Sequence, residues 1–489
     1  LPEQHCEQII GFYKPGKEIS KLNDLMKSKN NQYSLFEDII DQPVLTVDNK
    51  PSVSPEKSTK AAFQTIKKYP TYKDSGAAWL GEIPVHWEAV SLGSLLELKS
   101  DKNHPNYQVL SVYREYGVIP KDSRDDNHNA TSLDTTTYKA VEPGDLVVNK
   151  MKAWQGSMGI SAYKGIVSPA YITCRVTSKK VYSEYLHRLL RSDNYIGEYN
   201  RISYGVRVGQ WDMHYEDFKK VVTLLPPLEE QTAIATFLDQ KTAQIDKAVA
   251  IKEKQIELLK ERRQILIHNA VTRGLNPNAS MKDSGVEWIG EIPAHWQIVK
   301  NHILFQERNQ PGNESLPLLT VSIHSAVSSE ELNDEENLRG KIRIEDKSNY
   351  KLVKVNDIVF NMMRAWQGAI GAVRTEGMVS PAYIVAKPKG AIDADFFEYQ
   401  YRTKAFIQQM DRFSKGITDF RKRLYWDEFK QLKTILPPIS EQTAISKFIA
   451  EVSQKIETAI SIKEKEIEKL KEYKTTLINS VVTGKIKVS

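Results

Sequence analysis

The sequence predicts an α+β protein: two tandem mixed α/β domains separated by two long helices that pair as an antiparallel coiled coil. Three observations carry this. The chain repeats itself, each repeat alternates short strand-like and helix-like segments, and each repeat closes on an uninterrupted helical run. KDSGAAWLGEIPVHW at residues 73–87 returns as KDSGVEWIGEIPAHW at 282–296, 209 residues on, with eleven of fifteen positions identical. AWQGSMGISAYKGIVSPAYI (153–172) returns as AWQGAIGAVRTEGMVSPAYI (365–384), and LPPLEEQTAIATFLDQ (225–240) as LPPISEQTAISKFIAE (436–451). The interval far exceeds the roughly 20–50 residue period of a solenoid, so the repeated unit is a whole domain with an appended segment. Such a chain is a built-in pseudo-dimer, suited to a partner that has two halves.

Residues 1–71 have no counterpart in the second half. A helix or two is expected over 18–40, then a linker over 41–60 marked by Pro43, Pro51 and Pro55. The first domain is expected over 72–227. Alternating apolar runs at 108–113, 145–149 and 170–176 predict strands, and 183–192 a helix. The second, over 281–438, repeats the order, with strands at 318–323, 357–360 and 382–386 and a helix at 395–402. Gly144-Asp145 and Asn356-Asp357 mark the turns that enter the strand before each Trp-Gln-Gly.

After each Leu-Pro-Pro the periodicity changes. Pro226-Pro227 and Pro437-Pro438 end a strand just before a helix start, where a missing N–H costs little. Long helices are expected over 228–274 and 439–484, with a connector at 275–280 and a tail at 485–489. Their seam passes through Ile245, Val249, Lys252, Ile256 and Leu259 in the first, and Ile456, Ile460, Lys463, Ile467 and Leu470 in the second, in steps of three, four or seven. About 43 residues make a rod of roughly 65 Å, too long to bury its seam on one compact domain, so the two helices are expected to bury their seams on each other. Lys252 and Lys463 hold equivalent seam positions; a lysine there either fixes register or lies along the seam edge with its ammonium in water.

With 489 residues, 40% of them hydrophobic and 27% charged, the chain has the composition of a globular protein of about three domains. The net charge of +6 permits nucleic-acid binding without requiring it. Cys6 and Cys174 are too few and too distant for a disulfide framework or a thiolate metal site, and no apolar run reaches the roughly 18 residues of a membrane span, so a cytoplasmic location is expected. The chain begins at Leu1 rather than Met, and the natural N-terminus is expected to have been trimmed or left out.

No catalytic residue and no metal ligand is assigned. The chain lacks a phosphate-binding loop ending in Gly-Lys-Ser or Gly-Lys-Thr, a methyltransferase tetrapeptide of the Asn/Asp-Pro-Pro-aromatic type, and His-Glu-x-x-His or Cys-x-x-Cys spacing. His86 and His295, each before a Trp, are read as packing or hydrogen-bonding residues. The Trp-Gln-Gly segment admits two readings. Lys150, Lys152, Trp154 and Gln155, opposite Met362, Arg364, Trp366 and Gln367, suit phosphate and base-edge contact; the identical residues equally suit core and turn.

Residues shared by both copies cannot distinguish two sequences, so discriminating residues belong where the copies diverge. Those stretches are 100–138 against 309–350, holding Tyr113, Arg114, Lys121 and Arg124 opposite His324, Arg339, Lys341 and Arg343, and 204–214 against 415–425, holding Arg207 and Gln210 opposite Arg421 and Arg423. Arg and Gln make bidentate hydrogen bonds to guanine and adenine edges in the major groove.

Each module ends in Leu-Pro-Pro-x-x-Glu-Gln-x-x-Ile, opens a long helix carrying Ile-Lys-Glu-Lys, and closes near Thr-Arg-Gly or Thr-Gly. Over residues 72–487 this resembles the specificity subunit of a Type I restriction-modification system, departing from it in the N-terminal extension and in Thr272-Arg273-Gly274 against Thr483-Gly484. The resemblance implies two target recognition domains, each reading half of an asymmetric bipartite double-stranded DNA target, with the paired helices setting the spacer. It further implies two methyltransferase subunits docked on the helices and supplying S-adenosylmethionine, restriction subunits beside them, and no cofactor in this chain. Competing readings are a coiled-coil adaptor that binds only proteins, and a stand-alone nuclease or methyltransferase with an unrecognised site.

Overall fold

The computed structural model describes residues 67–124, 134–205, 211–313, 315–329, 349–416 and 422–488. The helix and linker expected within 18–60 lie outside them. The chain forms two compact units, Leu1–Ala250 with Glu466–Ser489, and Ile251–Lys465. Each unit therefore contains one repeat, the start of one long helix and the end of the other.

In the first unit a four-stranded antiparallel sheet runs in the order Leu96–Leu98, Tyr171–Val176, Leu146–Asn149, Met158–Ile160. The second unit repeats it as Phe305–Glu307, Tyr383–Pro388, Ile358–Asn361, Ile370–Ala372. Successive side chains of a strand point to opposite faces, and the unbroken apolar run Ile358-Val359-Phe360 feeds two cores in this way. Ile358 and Phe360 join Phe396, Phe397, Tyr401 and Phe406 of the helices Ala394–Tyr401 and Lys404–Phe413. Val359 joins Leu319 and Val321 of the hairpin Leu319–Ser322/Ala326–Ser329. The first unit places Val147 against Leu110, Val112 and Val118 of the matching hairpin Leu110–Tyr113/Gly117–Pro120. The second unit's central strand is thus sandwiched between helices and a hairpin, which explains why it is apolar on both faces, and its counterpart Leu146–Asn149 has the same burial pattern.

The long helices run Leu228–Arg273 and Ile439–Val482. In the first unit the start of the first helix meets the segment before the helix Ser183–Leu190, where buried Gln231 accepts from the Tyr182 N–H and donates to the carbonyls of Lys180 and Pro226, all at 2.8 Å. The end of the second helix meets the same short helix, with the Tyr185 hydroxyl donating to the Val482 carbonyl at 3.3 Å. Farther along, Lys474 pairs with Asp246 at 2.6 Å. In the second unit Glu441, at the start of the second helix, accepts from the Trp296 indole at 3.0 Å, while Val271, near the end of the first, lies in the same core as Trp296. Arg263 and Glu457 pair between them at 2.9 Å. A helix start beside a helix end in both units makes the pairing antiparallel. Ile245, Val249, Ile256, Ile456, Ile460, Ile467 and Leu470 are buried along the seam. Leu259, Lys252 and Lys463 are half-buried at its margin, a setting in which a lysine stem covers apolar surface.

Glycine stops each long helix and lets it dock. Gly274 and Gly484 both take φ +74°, the left-handed conformation that closes a helix. A Cβ on Gly274 would lie 3.1 Å from the Trp296 ring, and one on Gly484 only 2.4 Å from Pro84. The repeated Pro-x-His-Trp turn is thus the seat for a helix end, and in the first unit that end comes from the far terminus of the chain. Lys487 completes the closure by donating its N–H to the Lys67 carbonyl at 2.7 Å. Among the described residues no helix is long and apolar enough to cross a membrane.

Candidate nucleic-acid interface

Each unit builds a surface knuckle at Trp-Gln-Gly. The central strand ends at Asn149 or Asn361, and a single 3-10 turn, Ala153–Gln155 or Ala365–Gln367, follows. Gly156 and Gly368 close that turn at φ +84° and +95°, pressed so closely on Ile196 and Ile407 that a Cβ would come within 2.6 and 3.0 Å. The Trp indoles donate back to the turn, Trp154 to the Met151 carbonyl at 3.1 Å and Trp366 to that of Met363 at 3.0 Å. The alanines are buried, whereas Lys152 and Arg364 are exposed. The identical residues therefore make the turn, and the adjacent cations stand on its surface.

The structure brings one divergent stretch to this knuckle. Backbone bonds tie Tyr204 to Asp212 and Lys415 to Arg423, and the residue that follows each pair is hooked to the knuckle, Met213 N–H to the Lys150 carbonyl at 3.0 Å and Leu424 N–H to that of Met362 at 2.8 Å. The Lys150 ammonium pairs with Asp212 at 2.8 Å, so its charge is balanced within the unit. At the equivalent places the second unit has Met362 and Arg423, with an Arg423 N–H directed at the Met363 sulfur at 3.9 Å. Trp154 meets the edge of Trp211 at 5.3 Å, whereas Trp366 lies under the Lys422 ammonium at 5.5 Å. One frame thus carries Trp211 and Asp212 beside the turn in the first unit, and in the second Lys422, paired with Asp411 at 2.8 Å, and Arg423.

The other divergent stretch begins in the hairpins. Arg191 and Arg402, each the residue that follows a short helix, direct their guanidinium groups at backbone carbonyls. Arg191 donates to Tyr113, Arg114, Glu115 (3.0 Å) and Met158 (2.7 Å). Arg402 donates to Ser322, Ile323 (2.7 Å), His324 (3.1 Å), Gly368 (3.0 Å) and Ile370. Burial pulls both guanidinium groups below their ordinary pKa.

A family model for the type I restriction modification DNA specificity domain matches residues 84–261. The chain is 24% identical over 440 residues to the MjaVIII specificity subunit of Methanocaldococcus jannaschii, covering 83% of this chain and 94% of that one. It is 31% identical over 237 residues to the EcoBI specificity subunit of Escherichia coli, covering 45% and 49%. A solved chain, from work on complex assembly and conformational transition of the type I R-M system, superposes with a TM-score of 0.58 at 12% identity, over 82% of this chain and 98% of that one. The chain is similar to type I restriction specificity subunits over most of its length and shares the fold of that solved chain.

The residues expected to touch DNA are distributed unevenly over the two units. Arg114 and His324 are exposed on the hairpin turns, and Lys152 and Arg364 on the knuckles. Lys121 and Arg124 are half-buried, Arg124 stacking over Tyr116 at 4.6 Å and Tyr113 at 5.7 Å. Arg207, Gln210, Arg339, Lys341, Arg343 and Arg421 lie outside the described residues. Among the described residues no group of three or more His, Cys, Asp or Glu could hold a metal ion.

His86 and His295 are fastening residues, bonded to Glu230 at 2.8 Å and Glu441 at 2.7 Å. The Glu-Gln of the repeated helix motif thus has two jobs: Glu holds the His-Trp turn, and Gln holds the segment before a short helix. No residue pattern in the sequence marks those roles, and the one signal for Arg191 and Arg402 is that aligning the repeats sets Leu-Arg-Ser (190–192) on Tyr-Arg-Thr (401–403).

One difference between the units titrates. His187 Nδ1 accepts from the Ile160 N–H at 3.1 Å, and burial, with the Arg191 and Arg188 cations, holds its pKa down to about 4. Glu398 fills the equivalent place, accepting from the Ala372 N–H at 2.8 Å. Because the folded state keeps His187 neutral, its contribution is complete above the unfolded value near 6.5 and is lost as pH falls toward 4. The loss amounts to about 2 kcal/mol at pH 5. Thermal unfolding at pH 7 and pH 5 should show the first unit weakening by that amount and His187→Asn abolishing most of the difference; an equal pH response in the variant would refute the assignment.

Proposed function

We propose that this chain is the non-catalytic, DNA-reading subunit of a type I restriction-modification complex. Each unit reads one half of an asymmetric two-part target in the major groove, through the divergent residues beside its knuckle and on its hairpin turn. Two methyltransferase subunits dock on the long helices and bring S-adenosylmethionine, and restriction subunits join that assembly. The observation that carries this reading is the surface built twice on one frame, with identical residues making the turn and unlike residues mounted on it. Base edges are distinguished by side chains that differ, while a common frame orients them.

Sequencing the methylated motifs in cells that express this chain with its methyltransferase is the test. A two-part motif with unlike halves is expected, and exchange of residues 204–214 for residues 415–425 should alter one half alone. Methylation without a motif, or an exchange that changes nothing, would overturn the proposal.

Lys152 and Arg364 differ in role from those divergent residues, since equivalent cations on a shared turn suit phosphate contact. Lys152→Glu and Arg364→Glu are each expected to weaken binding of the complex at least roughly tenfold on all sequences alike, and to reduce the salt dependence by about one counterion. Titrations at two salt concentrations would show it, and a changed motif with unchanged salt slope would contradict it.

A further inference from the structure

We propose that Arg191 and Arg402 are positioning residues for sequence reading, each holding a divergent hairpin turn in register with the knuckle of its unit. The acceptors correspond one for one. Tyr113, Arg114, Glu115 and Met158 of the first unit stand where Ser322, Ile323, His324 and Ile370 stand in the second, and Arg402 reaches Gly368 of the knuckle as well. The turns share a backbone too, since Gly117 and Ala326 take φ +69° and +54° at the same place.

A guanidinium presents five N–H donors in a rigid plane, and here every acceptor named is a backbone carbonyl. The grip is therefore indifferent to the side chains of the turn. Arg114-Glu115-Tyr116 can be replaced by Ile323-His324-Ser325 without loosening it, and the exposed Arg114 and His324 still start from a fixed backbone. An element whose side chains diverge while its backbone stays in place is what reading different bases from one frame requires. Lysine offers three donors on a single atom in place of five spread over a planar fork, so it cannot serve the turn carbonyls and that of Met158 or Ile370 together.

The inference rests on the function proposed above. The test is methylation by complexes carrying Arg191→Lys or Arg402→Lys, on the cognate site and on each single-base variant of it. Arg191→Lys should reduce discrimination roughly tenfold at positions of one half-site and leave the other half unaffected; Arg402→Lys should do the converse. A purely structural role would instead lower assembly or melting temperature and slow methylation of all sites in proportion. Inserting Gly-Gly between Glu115 and Tyr116, which moves the turn while keeping Arg191, should relax the same half-site and decides the matter where an arginine variant fails to assemble. An assembled variant that ranks the sites as the parent does overturns the inference. A parent complex with no sequence preference would instead overturn the proposed function.

Discussion

Arg308→Ala is expected to destabilise the second unit by about 3–5 kcal/mol, the cost of leaving a buried charge without its partner. The Arg308 side chain is 8% exposed and that of Asp357 1%, and they meet through two bonds of 2.8 and 3.0 Å. Asp357 also accepts from the Lys354 N–H at 2.9 Å, so its carboxylate pins the turn that enters the central strand. The first unit meets the same need with Lys99 and Asp145, at 2.6 Å, and the Glu142 N–H at 2.9 Å. Arg308→Lys copies that solution and should cost far less than the alanine change, though it surrenders the fork. Urea unfolding of the full chain, with hydrogen exchange to assign each transition, measures both; an alanine variant within about 0.5 kcal/mol of the parent would show that Asp357 does not depend on Arg308.

Gln231→Leu and Gln442→Leu come next in expected effect, at about 3 kcal/mol or more each, because a buried N–H and carbonyl groups lose their partner. Gln231 serves the Tyr182 N–H and the carbonyls of Lys180 and Pro226, and Gln442 the Asp393 N–H at 3.0 Å and the Pro437 carbonyl at 2.9 Å. Glutamate at 231 separates the two halves of that role: it still accepts from Tyr182, but sets an oxygen against the two carbonyls. Gln231→Glu should therefore be nearly as harmful as the leucine change at neutral pH, since the buried carboxyl either stays charged against two carbonyl oxygens or must take up a proton to donate to one of them. Calorimetry of the full chain, with exchange protection at Tyr182 as the local probe, checks this. Parent-like protection in Gln231→Leu would mean that the contact does not hold the start of the short helix.

Much of the fold was legible because it is written locally. The helix expected over 228–274 is found as Leu228–Arg273, and the strand expected over 145–149 as Leu146–Asn149. Apolar periodicity and the absence of Gly or Pro within a run are properties of neighbouring residues. Site chemistry was less legible. Lys150 looks like a surface cation until Asp212, 62 residues away, balances it. Arg191 and Arg402 carry no signal of their role in the sequence because their partners are carbonyl groups, which every residue carries and no residue type announces.

The sequence by itself determined that the protein is built twice, that each copy is mixed α and β, and that long helices follow each copy, because repetition and periodicity need no knowledge of distant contacts. Only the tertiary structure decided which helix ends belong to which unit, and which cations are already satisfied. Gly484 against Pro84 and Lys487 against Lys67 join segments about four hundred residues apart, and such pairings depend on how helix ends dock into turns. For the same physical reason the proposed reading surface takes shape only in three dimensions: a knuckle, the stretch hooked to it and a hairpin come from separate parts of the sequence and are joined largely through backbone groups.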